Sequence, residues 1–265
     1  MAVWVAGQGV PGELARERAE LAGWLRDAPA SPFRAVVQVA VGPGVSFGPA
    51  DTDVPLGGVG RARLDERGGG LWLSIAGATR PVGRGRLLSL GNYRVLAAGP
   101  PGRTTVTVFS AEARHYAAPE YFPDAPAWRR VVSLVPVARP MAQRILAPDG
   151  TEVEATEAGT VTVPAGGRTS TLRVFRIPGP DGEDSDLEIF FRDGTSGKGS
   201  YPGGRFVSLT PLPDGRYVVD FNRARNPFCG YSTVFPCPAP WRGNMLTVPV
   251  PAGERYAAKP SPTKS

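Results

Sequence analysis

Two polar stretches hold most of the residues able to do chemistry. The first runs from Phe190 to Phe206, FFRDGTSGKGSYPGGRF, and places Asp193, Thr195, Tyr201 and Arg205 around a glycine-rich loop. The second runs from Asp220 to Cys237, DFNRARNPFCGYSTVFPC, and holds Asp220, Asn222 and both cysteines of the chain. A carboxylate at the end of a hydrophobic strand acts as a general base when it is partly desolvated, which makes Asp220 the candidate base. A phenol donates a proton or a hydrogen bond, the role open to Tyr201. A guanidinium clamps an anion with two parallel N–H groups, the role open to Arg205. Side chains alternate along a strand, so Val218, Asp220 and Asn222 are expected on one face and Tyr217, Val219 and Phe221 on the other. Arg205, Arg223, Arg225 or backbone amides can then satisfy Asp220. The competing reading is structural: Asp and Asn side chains routinely tie down a following loop by bonding backbone N–H groups.

Cys229 and Cys237 sit in an aromatic-rich loop with Phe228, Tyr231, Phe235 and Trp241, and three fates are open to them. They can close a small disulfide loop, pack as buried thiols, or supply a nucleophile, for which Cys229 is the candidate. A nucleophile needs a base, and His115 is the one histidine in the chain. Two cysteines and one histidine do not complete a Cys/His zinc site, and Asp193, Asp220 and Asn222 lack the spacing of an oxygen-ligand metal loop. No metal and no cofactor are expected. The glycine-rich loop is not a phosphate-binding P-loop, because GxxxxGK[ST] is absent and no helix follows it.

The elements that must position these residues are β-strands. The chain has 265 residues with 34 glycines and 29 prolines, a density of turn formers that favours many short strands. One amphipathic helix is expected over Glu13–Asp27, where Leu14, Leu21 and Leu25 form a stripe widened by Ala22 and Trp24 and Pro29 and Pro32 end it. The expected role of that helix is docking on a sheet edge. Strands follow at Ala35–Val41, Arg61–Leu64, Leu71–Ile75, Leu87–Leu90, Tyr93–Ala97 and Thr104–Ser110. A proline-broken connector over Glu112–Trp128 leads to further strands at Arg130–Pro136, Arg144–Leu146, Thr151–Glu157, Thr160–Pro164, Ser170–Ile177, Leu187–Arg192, Arg205–Leu209, Tyr217–Asn222 and Met245–Val250. Short Gly/Pro/Asp turns make the pairing antiparallel. The fold class is therefore all-β with one N-terminal helix, as an antiparallel sandwich or partly closed barrel. The expected organisation is a helical segment over 1–30, a β unit over 31–112, a second β unit carrying the polar stretches over 113–258, and a disordered tail over 259–265.

Composition excludes several classes. The net charge is +6 and the pI about 9.7, yet among 30 basic residues only Lys198, Lys259 and Lys264 are lysines, and the arginines are scattered. No basic block marks a nucleic-acid surface, so no nucleic-acid partner is expected. No run approaches the ~20 apolar residues of a membrane span and the N-terminus lacks a signal-peptide pattern, so no membrane partner and a cytoplasmic location are expected.

The segment FRDGTSGKGSYPGGRFVSL, followed by VVDFNRARNPFCGYSTVFPCPAPWRGNMLTVPVPAGER, resembles the bacterial and archaeal domain-of-unknown-function family DUF1684. The matching positions include Asp193, Thr195, Tyr201, Arg205, Asp220, Asn222, Asn226, Cys229, Cys237, Asn244 and Glu254. YFPDAPAWR at Tyr121–Arg129 is similar as well. Around Trp241 the sequence departs from the family pattern, where a proline and an acidic residue are expected before Asn244. The resemblance names a motif and no reaction. In the N-terminal half, the strand rhythm of GRARLDERGGGLWLSI and LLSLGNYRVL is similar to forkhead-associated sandwiches, an expectation for architecture alone because their Ser-x-x-His is missing.

The functional expectation is a pocket for a small polar or anionic molecule in the C-terminal β half. Asp220, Tyr201 and Cys229 are the candidate catalytic groups, and Asp193, Thr195, Arg205, Asn222, Asn226, Asn244 and Glu254 the candidate binding groups. The variety of ionisable types around one loop leans toward acid–base catalysis rather than Cys–His chemistry. The alternative is a non-catalytic interaction module in which the same residues lock the cysteine loop.

Overall fold

The computed structural model describes residues 12–112, 116–179 and 185–256, and among these one α-helix, α1 (Glu13–Asp27), precedes seventeen strands. His115 and the tail over 259–265 lie outside the described residues. Ser31 ends the helix and starts the β region together, donating its hydroxyl to Leu25 O and accepting Phe33 N–H at 3.2 Å.

The first nine strands form two sheets. β1 (Ala35–Ala40), β7 (Leu87–Leu90), β8 (Tyr93–Ala98) and β9 (Thr105–Ser110) make one, in the order β1-β9-β8-β7. β2 (Val45–Gly48), β3 (Val54–Pro55), β4 (Ala62–Arg67), β5 (Gly70–Ile75) and β6 (Ala78–Val82) make the other, in the order β3-β2-β4-β5-β6. Their apolar faces meet over one core in which Phe47, Leu64, Leu73, Val95, Val106 and Val108 are buried, giving a β-sandwich. Pairing is antiparallel except between β2 and the two-residue β3, which run parallel.

The remaining strands form one sheet: β10 (Arg129–Val132), β11 (Val135–Pro136), β12 (Ala142–Leu146), β13 (Glu152–Ala165), β14 (Arg168–Pro178), β15 (Ser185–Phe191), β16 (Arg205–Pro211) and β17 (Tyr217–Asp220). The order is β10-β17-β16-β15-β14-β13-β11, with β12 also on β13, and the sheet curls into a half-barrel whose β10 approaches β13. Its inner face buries Leu172, Val174, Ile189, Phe191, Val207 and Val219. Its outer face buries Val153, Ala155, Phe175, Ile177, Phe190 and Phe206 under Trp241. The stretch expected as two strands, Thr151–Glu157 and Thr160–Pro164, is the single long β13. A bulge at Ala158 shifts its register on β14, so odd-numbered Val153 and Ala155 face outward while odd-numbered Val161 and Val163 face inward. One inserted residue reverses a period-two pattern, and the long strand bends where it does so.

Two further expectations need correction. Met245–Val250 is not a strand: it makes one parallel bridge, Met245 to Arg192, although Leu246 and Val250 are buried. Strand β17 stops at Asp220, and Phe221–Arg223 turns into a 3-10 helix, so the alternation does not continue to Asn222.

Candidate functional site

The glycine-rich loop folds back on itself between β15 and β16. Thr195 Oγ1 lies 2.9 Å from both carboxylate oxygens of Asp193 and 2.8 Å from Ser200 Oγ, and Ser196 Oγ donates to Asp193 at 3.3 Å. Gly204 takes φ +109, and a Cβ there would stand 2.6 Å from Phe191 O, so only glycine lets the loop return to the sheet. Arg205 follows and is 1% exposed. It faces Asp193 at 3.5 Å, donates to Val250 O at 3.0 Å and Glu254 O at 3.2 Å, and also bonds Ala252 O. The rings of Phe191 and Phe122 flank it at 5.4 and 5.8 Å. Burial lowers its pKa, and the negative charge of Asp193 opposes that shift. Arg205 is thus not free to clamp an anion. It holds the segment Val250–Glu254 onto the sheet.

Asp220 accepts Asn222 N–H at 3.0 Å and Asn222 Nδ2 at 2.8 Å, and pairs with Arg223. Arg223 reaches across to α1, binding Glu17 at 2.6 and 3.0 Å and Glu13 at 3.4 Å. The helix is therefore docked through charge, with Arg18 adding a 2.6 Å pair to Asp124. Arg225, the third expected donor, pairs instead with Glu188 at 2.6 Å. Asn222 accepts Ala125 N–H at 2.9 Å and donates to Ala125 O at 3.0 Å, so its amide imitates a strand neighbour for the connector. Asn244 does the same more completely. Its Oδ1 accepts Arg173 N–H at 2.7 Å, and its Nδ2 donates to Arg173 O and Phe190 O at 2.9 and 3.1 Å. The β14–β15 ladder begins at Phe175 and Glu188. One amide fills the gap where those strands diverge.

Glu254 accepts Asn226 N–H at 2.8 Å and Tyr231 O–H at 2.7 Å, and Asn226 Nδ2 donates to Arg255 O at 3.1 Å. Burial pushes the Glu254 carboxyl up to about 7, while its hydrogen bonds and the Arg205 charge pull the other way. Asn226 Oδ1 and Tyr121 Oη are buried without a hydrogen-bond partner.

Tyr201 and the cysteines stand apart from this network. Tyr201 Oη lies 3.2 Å from Cys229 Sγ and 3.0 Å from Cys237 Sγ. Both thiols are free, Cys229 half-buried and Cys237 exposed. Burial pushes the Cys229 thiol up to about 12, with Cys237 as the next contribution. Burial and both thiols raise the Tyr201 phenol above its usual range.

Asp193, Thr195, Arg205, Glu254 and Asn226 are therefore linked in one buried network around Arg205, while Asn222 and Asn244 sit in clasps of their own, and none of the seven lines either cavity described below. A cleft of about 480 Å³ opens elsewhere, between the sandwich and the outer face of the half-barrel. Pro100, Pro101, Val153, Ile177 and Phe228 give it apolar walls, and Arg84, Asp149, Asp186, Glu188 and Arg225 supply polar groups. Its rim is tied across the two units by Gln38 Nε2 donating to Asp149 O at 3.2 Å and by Arg103 pairing with Glu152 and Glu154 at 3.0 and 2.7 Å. Glu188 spends Oε1 on Arg225 and Ser208, while its Oε2 is buried without a partner. Burial raises the Asp149 carboxyl above its usual range. Of these residues only Arg225 and Phe228 belong to the polar stretches. A hollow of about 650 Å³ at the β13–β14 turn is lined largely by that hairpin and gathers no convergent ionisable groups.

The family model described as "Protein of unknown function (DUF1684)" matches residues 114–255. A solution NMR structure of an uncharacterized protein from Haloarcula marismortui is 32% identical, covering 54% of this chain and 79% of its own, with a TM-score of 0.46. No match is found among the curated proteins. No helix among the described residues is long and apolar enough to cross a membrane. With its matched segment spanning more than half of the chain, this protein belongs to the DUF1684 family.

Proposed function

We propose that the protein binds a small amphipathic molecule, with an apolar body and a hydrogen-bond-donating head, in the cleft between the sandwich and the half-barrel. The observation that carries this reading is Glu188 Oε2, a buried acceptor without a partner on a side chain that lines the cleft. A buried unpaired acceptor costs roughly 1–3 kcal/mol, which a ligand donor would recover. The volume is of the size that encloses small ligands, and the pairing of apolar walls with few polar groups is the usual composition of such sites. The expected polar ligand is thereby narrowed: carboxylates outnumber free cations here, because Arg84 is paired with Glu66 at 2.7 Å and Arg225 with Glu188. A donor head fits this balance better than an anion. Binding is favoured over catalysis because Asp220, the candidate base, is held by Arg223 and Asn222. On this proposal the family motif is a scaffold that delivers Arg225 and Phe228 to the cleft.

Hexylamine and hexanoate make a matched pair of probes. Hexylamine is expected to raise the melting temperature with concentration, hexanoate to leave it unchanged, and Pro101→Trp at the exposed rim to abolish the hexylamine effect. Equal responses to both probes, or a response that survives Pro101→Trp, would refute the assignment.

A further inference from the structure

Most polar side chains of the family motif are engaged by the backbone or by other side chains of the fold. Tyr201, Cys229 and Cys237 form a cluster whose reactive atoms are hydrogen-bonded to one another, and it reaches solvent through Cys237. Three separate features make it more than two packed thiols. The sulfurs of residues eight apart are gathered around a single phenol oxygen, at 3.2 and 3.0 Å. The loop between them is anchored, since Phe228 N–H donates to Pro148 O at 2.8 Å and Phe235 is buried edge-on against Phe228. The two thiols differ in access, one exposed and one half-buried.

We propose that Cys237 and Cys229 form a thiol–disulfide exchange site, with Cys237 the attacking thiol, Cys229 the resolving thiol, and a low-molecular-weight disulfide the oxidising substrate. The Cys237 sulfur, as thiolate, attacks one sulfur of RSSR. The S–S bond breaks, one RS⁻ leaves and takes up the proton Cys237 released, and a mixed disulfide remains on Cys237. Cys229 then loses its proton to solvent and attacks the Cys237 sulfur, expelling the second RS⁻, which is protonated in turn. Two protein thiols and one RSSR become one protein disulfide and two RSH, with two electrons passing from protein to substrate. The order of attack follows from access. Burial, which raises the Cys229 thiol above its usual range, favours the same order. Closing an S–S bond of about 2 Å draws the sulfurs together and takes Tyr201 Oη out of its place between two partners. Oxidation is therefore coupled to a rearrangement at Tyr201, which packs edge-on against Tyr256 at 4.9 Å.

The test uses the full chain, reduced and then incubated with oxidised glutathione, with intact mass and thiol count as readouts. Wild type is expected to lose both thiols and gain no glutathione. Cys229→Ser is expected to stop with one glutathione held on Cys237, and Cys237→Ser to be modified at least tenfold more slowly. If Cys229→Ser does not fold, Cys229→Ala serves the same purpose, and the wild-type result decides on its own. Wild type that ends as a stable glutathione adduct, as a disulfide-linked dimer, or with both thiols intact would overturn the proposal.

Discussion

Glu254 gives the polar network a measurable pH signature. Its carboxyl is 1% exposed and faces Tyr231, Asn226 and Arg205, with Tyr121 beyond. Burial lifts its pKa from 4.5 to about 7. Below pH 4.5 the group is protonated in the folded and the unfolded chain, and it contributes no penalty. Between pH 4.5 and 7 the unfolded chain releases the proton while the fold retains it, so stability falls as pH rises. Above 7 the loss is complete. Each pKa unit corresponds to about 1.4 kcal/mol, which puts the total near 3 kcal/mol. Glu254→Gln keeps a side-chain carbonyl oxygen to accept from Asn226 N–H or Tyr231 O–H without the titration. Urea unfolding of both proteins from pH 4.5 to 8.5 isolates the effect, because all other titrations are common to both. The wild type is expected to lose about 3 kcal/mol relative to the variant across that range. A difference that stays flat within about 0.5 kcal/mol would refute a buried, proton-retaining Glu254.

Two further predictions address the clasps. Gly253 sits at φ +76 where a Cβ would stand 2.6 Å from Phe221 O and 2.7 Å from Ala224 O, so Gly253→Ala is expected to cost about 3 kcal/mol in chemical denaturation. Asn244→Leu orphans Arg173 N–H, Arg173 O and Phe190 O in a fully buried place, with an expected loss of about 4 kcal/mol and faster hydrogen exchange of the Arg173 amide.

The helix and the β class were legible because periodicity and turn residues act locally. The helix bounds over Glu13–Asp27 are those expected, since a leucine stripe and following prolines define both face and end. Trp24 departs from that stripe: it is 41% exposed, with its ring 5.9 Å from that of Phe228. Strands β2, β3 and β6 were not legible, being short, glycine-flanked or proline-containing. Met245–Val250 shows the opposite error. Alternating burial there reflects packing of Leu246 and Val250 on the half-barrel, and alternation reports burial without reporting a ladder. At the site, the sequence singled out the residues of the motif but not what they bond. Arg205, Asn222 and Asn244 all reach backbone atoms of distant segments, and backbone atoms leave no mark in a residue pattern. The cleft was invisible for a related reason. Arg84, Asp149, Ile177 and Glu188 come from separate segments with no common spacing.

The central claim is that the family motif is a structural clasp, and Arg205→Met tests it most directly. The substitution leaves Asp193 buried without its cation and removes the donor from three carbonyls, so a loss of about 3–5 kcal/mol is expected, with the melting temperature lower by about 10 °C. Thermal unfolding of the purified variant beside the wild type reads this in one experiment. A variant that melts within a degree or two of wild type would contradict the account and return Arg205 to the role of a ligand-binding group.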